Sequence, residues 1–589
     1  MSRSAPNPDQ PSFAVEEIPF SRYGSWLNIS PVTGLHQHSE DLHLVTHTTG
    51  LHAILSLVAY LAGQPVKAIR TATPTTLTLQ HAQHRIDAAF ETTDTIRIRG
   101  RGLGLRIIAA EPSLTPFSGP YFFRDPIDQS LVYTHYQSGR RYRITTLIGR
   151  TSVLGDQTLG TAERGALIEP AESGVWEVAI EEFETSRPPY VSGSSFTAVQ
   201  DNVRAEFAQF LGDIAPWRTE HTPAAELAAY VLWSATVSPA GFLRRPSVLM
   251  SKHWMDKVWS WDHCFNALAL AGGRPELALD QYLTPFDHQE PRGALPDSVT
   301  HSERLFNFVK PPIHGWALQS LRRRLTDDLE VEALTDIYRR LSRWARFWLD
   351  GRRVPGRALP HYQHGNDSGW DNATTFDPAR VLETADLAAF LSQLLATLAE
   401  LATELGLPAD SDEWSSTADA IQQAMIDQLW DGTQFGARNP HTGDITYCQS
   451  LLNLLPITLG ARLPTGIADR LADAISMHLT DWGVATEPPS SVHYEPDGYW
   501  RGPIWAPSTV LVEDGLRRAG HTGLADVISD RFRRLCEKSG FAENFDALSG
   551  AGLRDRAYTW TASAYLILAG QHSDRELAAT SSTRVEIRA

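Results

Sequence analysis

The sequence predicts two domains of different class, an all-β domain of the sandwich kind followed by an all-α domain built as an (α/α)6 barrel. Up to about residue 215 apolar and polar residues alternate, whereas beyond about residue 222 apolar residues recur every three or four positions. At 589 residues the chain is also too long for a single domain. We therefore expect a β-sandwich domain with its linker at residues 1–215, the barrel at 216–572 and a polar tail at 573–589.

The β domain is predicted from segments that alternate like half-buried strands. These segments are rich in Val, Ile and Thr and are bounded by Gly, Pro and Asp, which is typical of two packed antiparallel sheets. The passage that follows, at about 186–220, is Pro/Ser/Thr-rich and then helical, and it is interpreted as the linker. The alternating segments are residues 70–80, 84–109, 140–149 and 175–184.

The barrel is predicted from a long series of amphipathic helices. Residues 331–350 and 383–405 show the clearest apolar stripes at helical spacing. A dozen or so helices without strand–helix alternation favour a toroid of helical hairpins; a plain helical bundle or solenoid is the alternative, but no fixed short repeat supports it. Further helices are expected near 223–236, 262–273, 312–325, 411–430, 447–460, 465–479, 503–519, 521–537 and 557–570.

Charge and composition exclude several classes of function. The net charge of −17 disfavours binding to nucleic acid, whose phosphates it would repel. The N-terminus has no apolar core of a secretory signal, and the apolar stretch at 51–63 is too short to span a bilayer. The sparse, odd set of cysteines suits reduced core thiols, so we expect a cytoplasmic protein that binds no membrane. The cysteines are Cys264, Cys448 and Cys536.

Tryptophans are concentrated in the predicted barrel, where they stand beside charged residues. Only Trp26 and Trp176 of the 17 tryptophans precede residue 215. Flat aromatic faces next to carboxylates suit sugars, because C–H faces stack on rings while hydroxyls bind charged acceptors. For a single Trp a place in the core is the simpler interpretation, but three such loops favour a carbohydrate site. The loops hold Trp254, Trp259 and Trp261 before Asp262, Trp370 before Asp371, and Trp500 and Trp505 around Arg501.

Other catalytic chemistries find no support in the motifs. The chain has no glycine-rich dinucleotide or phosphate loop, and no HExxH or CxxC motif. We therefore expect neither a cofactor nor a catalytic metal. A structural calcium ion held by Asp287, Glu290 and Asp297 is left open, although their spacing matches no EF-hand.

Five motifs then carry a family resemblance, and they occur in order over about residues 230–570. They are KVWSWDHCFNALALA (257–271), KPPIHGWAL (310–318), NDSGWDNATTF (366–376), YWRGPIWAP (499–507) and FAENFDALSG…YTWTASAYL (541–566). Together they resemble glycoside hydrolase family 63, a group of inverting (α/α)6-barrel glycosidases related to the family 37 trehalases. Members of that family often carry a β-sandwich before the barrel.

The resemblance implies a role for each matching residue. It implies that Asp371 is the general acid and Glu543 the general base. It also implies that Asp262 binds hydroxyls of the sugar. Hydrolysis with inversion needs one protonated and one ionised carboxyl about 6.5–9.5 Å apart. Apolar Trp370 would keep Asp371 protonated, whereas polar Asn544 beside Glu543 is compatible with an ionised base. The remaining residues expected to bind substrate are Trp259, Trp261, Lys310, Trp370, Tyr499, Trp500, Arg501 and Trp505.

The resulting prediction is an inverting, exo-acting α-glycosidase, most simply an α-glucosidase that hydrolyses a small glucoside or disaccharide. Its partner would be a small carbohydrate, and its oligomeric state is left open. Trehalase-like and mannosyl- or glucosylglycerate hydrolases are the alternatives within the family. NATTF after GWD departs from the trehalase signature, and no carboxylate clamp is recognisable beside Trp254 and Met255. A sugar epimerase would need paired histidines, and a binding protein on an inactive barrel would have lost one carboxylate.

Overall fold

The structure is a computed structural model that describes residues 11–110, 121–155 and 163–586. The chain forms two compact units, one of β-sheet and one of helices. Within the described residues the first unit runs to Gly212 and also includes Tyr230–Asp256 and Thr300–Ser302, while the second contains the remainder. The chain therefore passes between the units more than once beyond the predicted boundary at residue 215.

The first unit is a sandwich-like arrangement of two antiparallel sheets, as predicted. One sheet has the strand order β1-β2-β3-β9-β14-β13 with β4 on β3, and the other β10-β11-β12-β15-β8-β7-β6-β5. The strands are β1 (Leu27–Gly34), β2 (Gln37–Thr46), β3 (His52–Leu61), β4 (Gln64–Pro65), β5 (Ile69–Ala72), β6 (Leu77–His81), β7 (His84–Phe90), β8 (Thr95–Arg101), β9 (Gly104–Ala109), β10 (Tyr121–Arg124), β11 (Leu131–His135), β12 (Arg140–Ile148), β13 (Arg150–Leu154), β14 (Gly165–Glu169) and β15 (Val175–Phe183).

Close packing on β15 shows why particular residues stand in these strands. Trp176 lies over Gly100 of the neighbouring strand β8, where a Cβ atom would come within 2.2 Å of the indole. Its indole nitrogen donates to the carbonyl of Leu103. The cross-strand partners Arg143 and Glu181 are both buried, and the arginine Nε donates to the carboxylate at 2.8 Å. A buried charge pair of this kind satisfies polar groups that the core could not otherwise hold.

The passage interpreted as a linker contains a helix, α1 (Phe196–Ile214). Phe196 and Val199 on this helix pack against Ala89 of β7. The helix agrees with the helical second part expected for this passage, while its packing on the sheet was not foreseen. The strands β1, β2 and β3 were not among the predicted segments.

Helices form the framework of the second unit. They are α2 (Ala225–Ala235, partly in the first unit), α3 (His263–Leu270), α4 (Pro275–Leu283), α5 (His314–Arg322), α6 (Val331–Arg346), α7 (Ala385–Glu404), α8 (Pro408–Leu429), a 3₁₀ helix (Leu451–Arg462), α9 (Thr465–Ser476), α10 (Ala506–Arg518), α11 (Thr522–Ser539) and α12 (Thr559–Glu586).

Short strand pairs occupy several connections. They are β16 (Thr236–Val237) with β17 (Ser247–Val248), β18 (Val258–Trp259) with β19 (Ser298–Val299) and β20 (Arg304–Leu305), β21 (Ala437–Arg438) with β22 (Ile445–Thr446), β23 (Leu479–Thr480) with β24 (Gly483–Val484), and β25 (Asn544–Phe545) with β26 (Gly552–Leu553). The first pair belongs to the sandwich unit and the others to the helical unit.

Six helices close into an inner ring, which confirms the barrel. Successive neighbours around the ring are α3, α5, α7, the 3₁₀ helix, α10 and α12, and α12 returns to α3. Between them in sequence lie α4, α6, α8, α9 and α11, each packed against an inner helix. Since an outer helix brings the chain back before each new inner helix, the N-terminal ends of the inner helices meet at one rim. We call this end the N-terminal rim.

Three parts of the helical unit differ from the sequence-based expectation. Helix α4 was not predicted, because only its first turn carries a clear signal in Pro275. The residues expected as a polar tail at 573–589 continue α12 as far as Glu586. The inner helix at 451–462 is a 3₁₀ helix containing Pro456, which interrupts regular α-helical bonding.

Helix α7 is long and apolar enough to cross a membrane by length and composition. Its apolar segment is 89% buried inside the helical unit, where the helix contacts α5, α6, α8 and the 3₁₀ helix. Burial on all sides accounts for a helix that is apolar all round. Cys264 and Cys536 are buried free thiols, as expected, while Cys448 is half-buried.

Candidate active site

Every residue expected to act on substrate precedes an inner helix of the barrel. Asp262 directly precedes α3, and Lys310 precedes α5. Asp371 lies in the connection before α7, and Tyr499 in the connection before α10. Glu543 belongs to the connection before α12. The N-terminal rim therefore collects residues that are far apart in sequence.

The loop that carries Asp371 is bonded to the connection before α10 through its neighbour Asn372. The amide oxygen of Asn372 accepts from the Trp500 backbone N–H at 3.0 Å, and its amide nitrogen donates to the Gly498 carbonyl at 3.0 Å. Arg501 Nε donates to the Asn372 carbonyl at 2.8 Å. These bonds join two predicted sugar-binding motifs into one surface and fix the position of Asp371.

Gly369 allows the Asp371 loop to approach the WSWD motif closely. Its φ of +74° lies in the left-handed region, and a Cβ atom there would lie 2.6 Å from the Trp261 ring. The glycine therefore brings Asp371 towards the segment that carries Asp262.

Gly369→Ala is expected to destabilise the protein and to lower activity by displacing the Asp371 loop. Strain and the clash together should cost about 1–3 kcal/mol, measured as the free energy of unfolding in urea. Gly356→Ala is the matched control, because Gly356 has a φ of +81° but nothing within 4 Å of an added Cβ. Equal losses in the two variants would show that the contact with Trp261 is unimportant.

Glu543 is held in a buried position just before the β25–β26 hairpin. The residue is only 2% exposed, and its backbone N–H donates to the Asp555 carbonyl at 2.7 Å. The Tyr499 hydroxyl donates to the Glu543 carboxyl. Burial, followed by repulsion from Asp555, raises the pKa of Glu543 to about 8.

The pKa of Asp371 is also raised, chiefly by burial, although Lys310 opposes the rise. Asp371 and Glu543 repel each other electrostatically, so ionisation of one raises the pKa of the other. Burial alone does not favour the ionised Glu543 that the sequence suggested. Because each carboxylate disfavours ionisation of the other, the pair favours the state that holds one proton, which general acid and base catalysis requires.

Asp262 occupies the same pocket with an unused acceptor. Its Oδ2 is buried and has no hydrogen-bond partner within the described part of the chain. Burial raises its pKa to about 7, while Lys310 acts in the opposite direction. Lys310 is itself held by Asp297 at 3.2 Å and by the Asn366 carbonyl at 2.9 Å. A buried carboxyl with a free oxygen is suited to accept hydroxyl protons from a ligand.

The tryptophans of the matched motifs form one continuous cluster at the same rim. Trp500 stacks on Trp505 with ring centroids 4.0 Å apart, and Trp370 lies 4.5 Å from Trp500. Trp560 links Trp505 to Trp261 by edge-to-face contacts. All five rings are buried, so much of their surface packs against the protein and not against solvent.

Two other predicted residues differ in their surroundings. Trp259, on β18, is half-buried and therefore keeps an accessible face. Arg501 pairs with Asp377 in addition to the Asn372 carbonyl, so its guanidinium holds the Asp371 loop.

Sequence reasoning overlooked several residues that the structure adds to this pocket. Asp297 acts electrostatically on Asp262 and Asp371, yet the sequence offered it only as a calcium ligand. Tyr558 lies close enough to interact with Glu543, and its position two residues before Trp560 in a matched motif could have signalled it. No sequence signal marks Arg554, because it follows the hairpin and lies between the two segments of the fifth motif.

Two of the three residues considered as calcium ligands pair with cationic side chains of the chain. Asp287 bonds to Arg340 at 3.3 Å, whereas Asp297 binds Lys310. Among the described residues, no group of three His, Cys, Asp or Glu side chains is placed to hold a metal ion.

Comparison with known proteins agrees with this architecture. The family model described as "Mannosylglycerate hydrolase MGH1-like glycoside hydrolase domain" matches residues 255–561. The mannosylglycerate hydrolase of Rubrobacter radiotolerans is 24% identical over 404 residues, covering 52% of this chain and 89% of that protein. The mannosylglycerate hydrolase MGH1 of Selaginella moellendorffii is 22% identical over 389 residues, covering 52% and 78%.

A solved structure shows the same fold. The GH63 mannosylglycerate hydrolase from Thermus thermophilus, crystallised in complex with glucose, matches with a TM-score of 0.52 and 22% identity over 58% of this chain and 98% of that one. Since the family model spans more than half of the sequence and includes all the rim residues, the chain belongs to the MGH1-like domains of glycoside hydrolase family 63 and is a glycoside hydrolase.

Proposed function

We propose that the protein is an inverting, exo-acting hydrolase of a small α-hexoside, with Asp371 as general acid and Glu543 as general base. The observation that carries this proposal is the burial of the two carboxyls at one rim, where each acts electrostatically on the other. A pair in which one carboxyl is protonated and the other ionised can protonate a leaving group and activate water in a single displacement.

In this mechanism protonated Asp371 donates to the glycosidic oxygen as the bond to the anomeric carbon breaks. Ionised Glu543 removes a proton from water, whose oxygen attacks the opposite face of that carbon. Tyr499 donates a hydrogen bond to the Glu543 carboxyl, which keeps the base in one orientation. Asp262 accepts protons from ring hydroxyls through its unused oxygen.

The charges around the pair favour an uncharged leaving group, such as a second sugar. Lys310 and Arg554 are the lysine and arginine that act electrostatically on the two catalytic carboxyls. Each already pairs with a carboxylate of the chain, Lys310 with Asp297 and Arg554 with Asp497 at 2.7 Å. A cation whose charge is already neutralised by a carboxylate attracts an anionic leaving group less strongly. An α-glucoside or small disaccharide of glucose is therefore the first substrate to test.

Mannosylglycerate is the second candidate, because the relatives named above act on it according to their names. Hydrolysis should be compared for an α-glucoside, an α-mannoside and mannosylglycerate under identical conditions. A kcat/KM that is highest for mannosylglycerate would favour this candidate over the uncharged leaving group.

Inversion predicts that the first sugar released from an α-glucoside is β-glucose. Water activated by Glu543 must attack opposite the departing oxygen, so each turnover reverses the anomeric configuration. Proton NMR of the anomeric signals during the first minutes, before mutarotation, measures this directly. An initial α-product would indicate two successive displacements and would contradict the proposed role of Glu543.

A further inference from the structure

We propose that Arg554 is a positioning residue that keeps Glu543 able to act as the base, by holding Tyr499 in place and by facing Glu543 with a positive charge. This inference rests on the proposed function of Glu543. Arg554 lies outside the matched motifs to which a role was assigned.

Arg554 joins the hairpin that follows Glu543 to the connection before α10. Its Nη1 donates to the Asn544 amide oxygen at 3.0 Å and lies 2.7 Å from the Asp497 carboxylate. Its guanidinium lies 4.9 Å from the centre of the Tyr499 ring, within the range of a cation–π contact. One side chain thus contacts both the residue that follows the base and the connection that carries Tyr499.

Backbone strain marks the same two residues. Tyr499 has a φ of 63° and Arg554 a φ of 59°, although neither is glycine. Left-handed conformations are costly for large side chains and persist where surrounding contacts enforce them. Here the strained backbone at Tyr499 is associated with a hydroxyl that reaches Glu543, and the strained backbone at Arg554 with a guanidinium that covers the Tyr499 ring.

The charges that face Glu543 make the guanidinium chemically significant. Asp555 and Asp371 oppose ionisation of Glu543, whereas Arg554 and the hydrogen bond from Tyr499 favour it. Tyr558, just before α12, also interacts with Glu543 and carries no charge at neutral pH. Arg554 is the only cation among the principal groups acting on the carboxyl in the described structure.

The test is the pH dependence of kcat/KM in Arg554→Met and Arg554→Lys. Activity requires ionised Glu543, so it rises as pH passes upward through the pKa of Glu543. Methionine removes the positive charge and should move this rise to higher pH by about one unit, with roughly a 10-fold loss of kcat/KM below it. Arg554→Lys keeps the charge but loses the planar guanidinium on the Tyr499 ring. The pH at which its kcat/KM rises should therefore move less than half as far as in Arg554→Met.

Two controls separate positioning from general structural damage. Asp497→Asn removes the carboxylate partner but leaves the Arg554 charge, so the rise should stay within a few tenths of a pH unit of wild type. Arg556→Met changes a neighbouring arginine that bonds to the carbonyls of Gly552 and Ser539, and its profile should not move.

A profile that is merely scaled down in both Arg554 variants, with its midpoint unchanged, would overturn the inference and leave Arg554 a structural residue. This outcome is distinguishable from failure of the proposed function, which Glu543→Gln tests independently. If Arg554→Met does not fold, Arg554→Lys still decides, because a lysine profile shifted as far as a full charge loss would contradict the proposal.

Discussion

Asp371→Asn and Glu543→Gln should each lower kcat by roughly 10³-fold or more while leaving the fold intact. Each substitution removes one proton transfer from a displacement that needs both. Steady-state kinetics on the best α-hexoside, with thermal unfolding as the check on folding, measures the effect. Glu495→Gln is the matched control, because Glu495 is exposed in the connection before α10. This variant should hydrolyse the substrate at the normal rate.

The two variants should also differ from each other in ways that identify the acid and the base. A glycosyl fluoride needs little help to lose its leaving group, so it should restore much of the rate of Asp371→Asn but not of Glu543→Gln. Ionisation of Asp371 ends activity at high pH in this mechanism, so Asp371→Asn should remove the fall on the high-pH side of the profile and leave the rise in place. Near-normal turnover of either variant on an unactivated substrate would remove that residue from the mechanism.

Asp262→Ala should lower kcat/KM by roughly 30- to 1000-fold, equivalent to about 2–4 kcal/mol. The substitution leaves the sugar hydroxyls without a charged acceptor in a pocket from which water is largely excluded. Asp262→Asn keeps the shape and one acceptor, so its loss should be smaller. Asp481→Ala, at an exposed aspartate of the same unit, controls for the loss of a carboxylate as such. An unchanged kcat/KM for Asp262→Ala would make Asp262 a structural residue.

The periodicity of the sequence was sufficient for the broad architecture but not for every element. Alternation predicted the sheets and helical spacing predicted the barrel, because both patterns arise from burial of one face. The helix at 196–214 was expected only as the helical part of a linker, whereas the structure packs it against the sandwich. The 3₁₀ geometry of 451–462 could not be foreseen either, because the sequence shows Pro456 but not the hydrogen bonds that replace those it prevents.

The motifs identified candidate residues but could not describe their surroundings. Trp500 and Trp505 stand beside a charged residue in sequence, which suggested a sugar platform, yet the structure stacks them on each other and buries them. Arg501 looked like a ligand for substrate and instead bonds to the loop of Asp371. The contact of Arg501 with Asn372 joins residues 129 positions apart, and local sequence contains no record of such a pairing.

What the sequence by itself determined is therefore the class of each domain, the family and the identity of the candidate acid and base. These follow from local periodicity and from short motifs, in which each residue is read with its neighbours. Only the tertiary structure decided the electrostatic state of the site, because Asp371 and Glu543 are 172 residues apart and meet only when the inner ring closes. Burial then raises the pKa of both carboxyls, and Lys310 and Arg554 offset that rise from positions that only the closed barrel brings near.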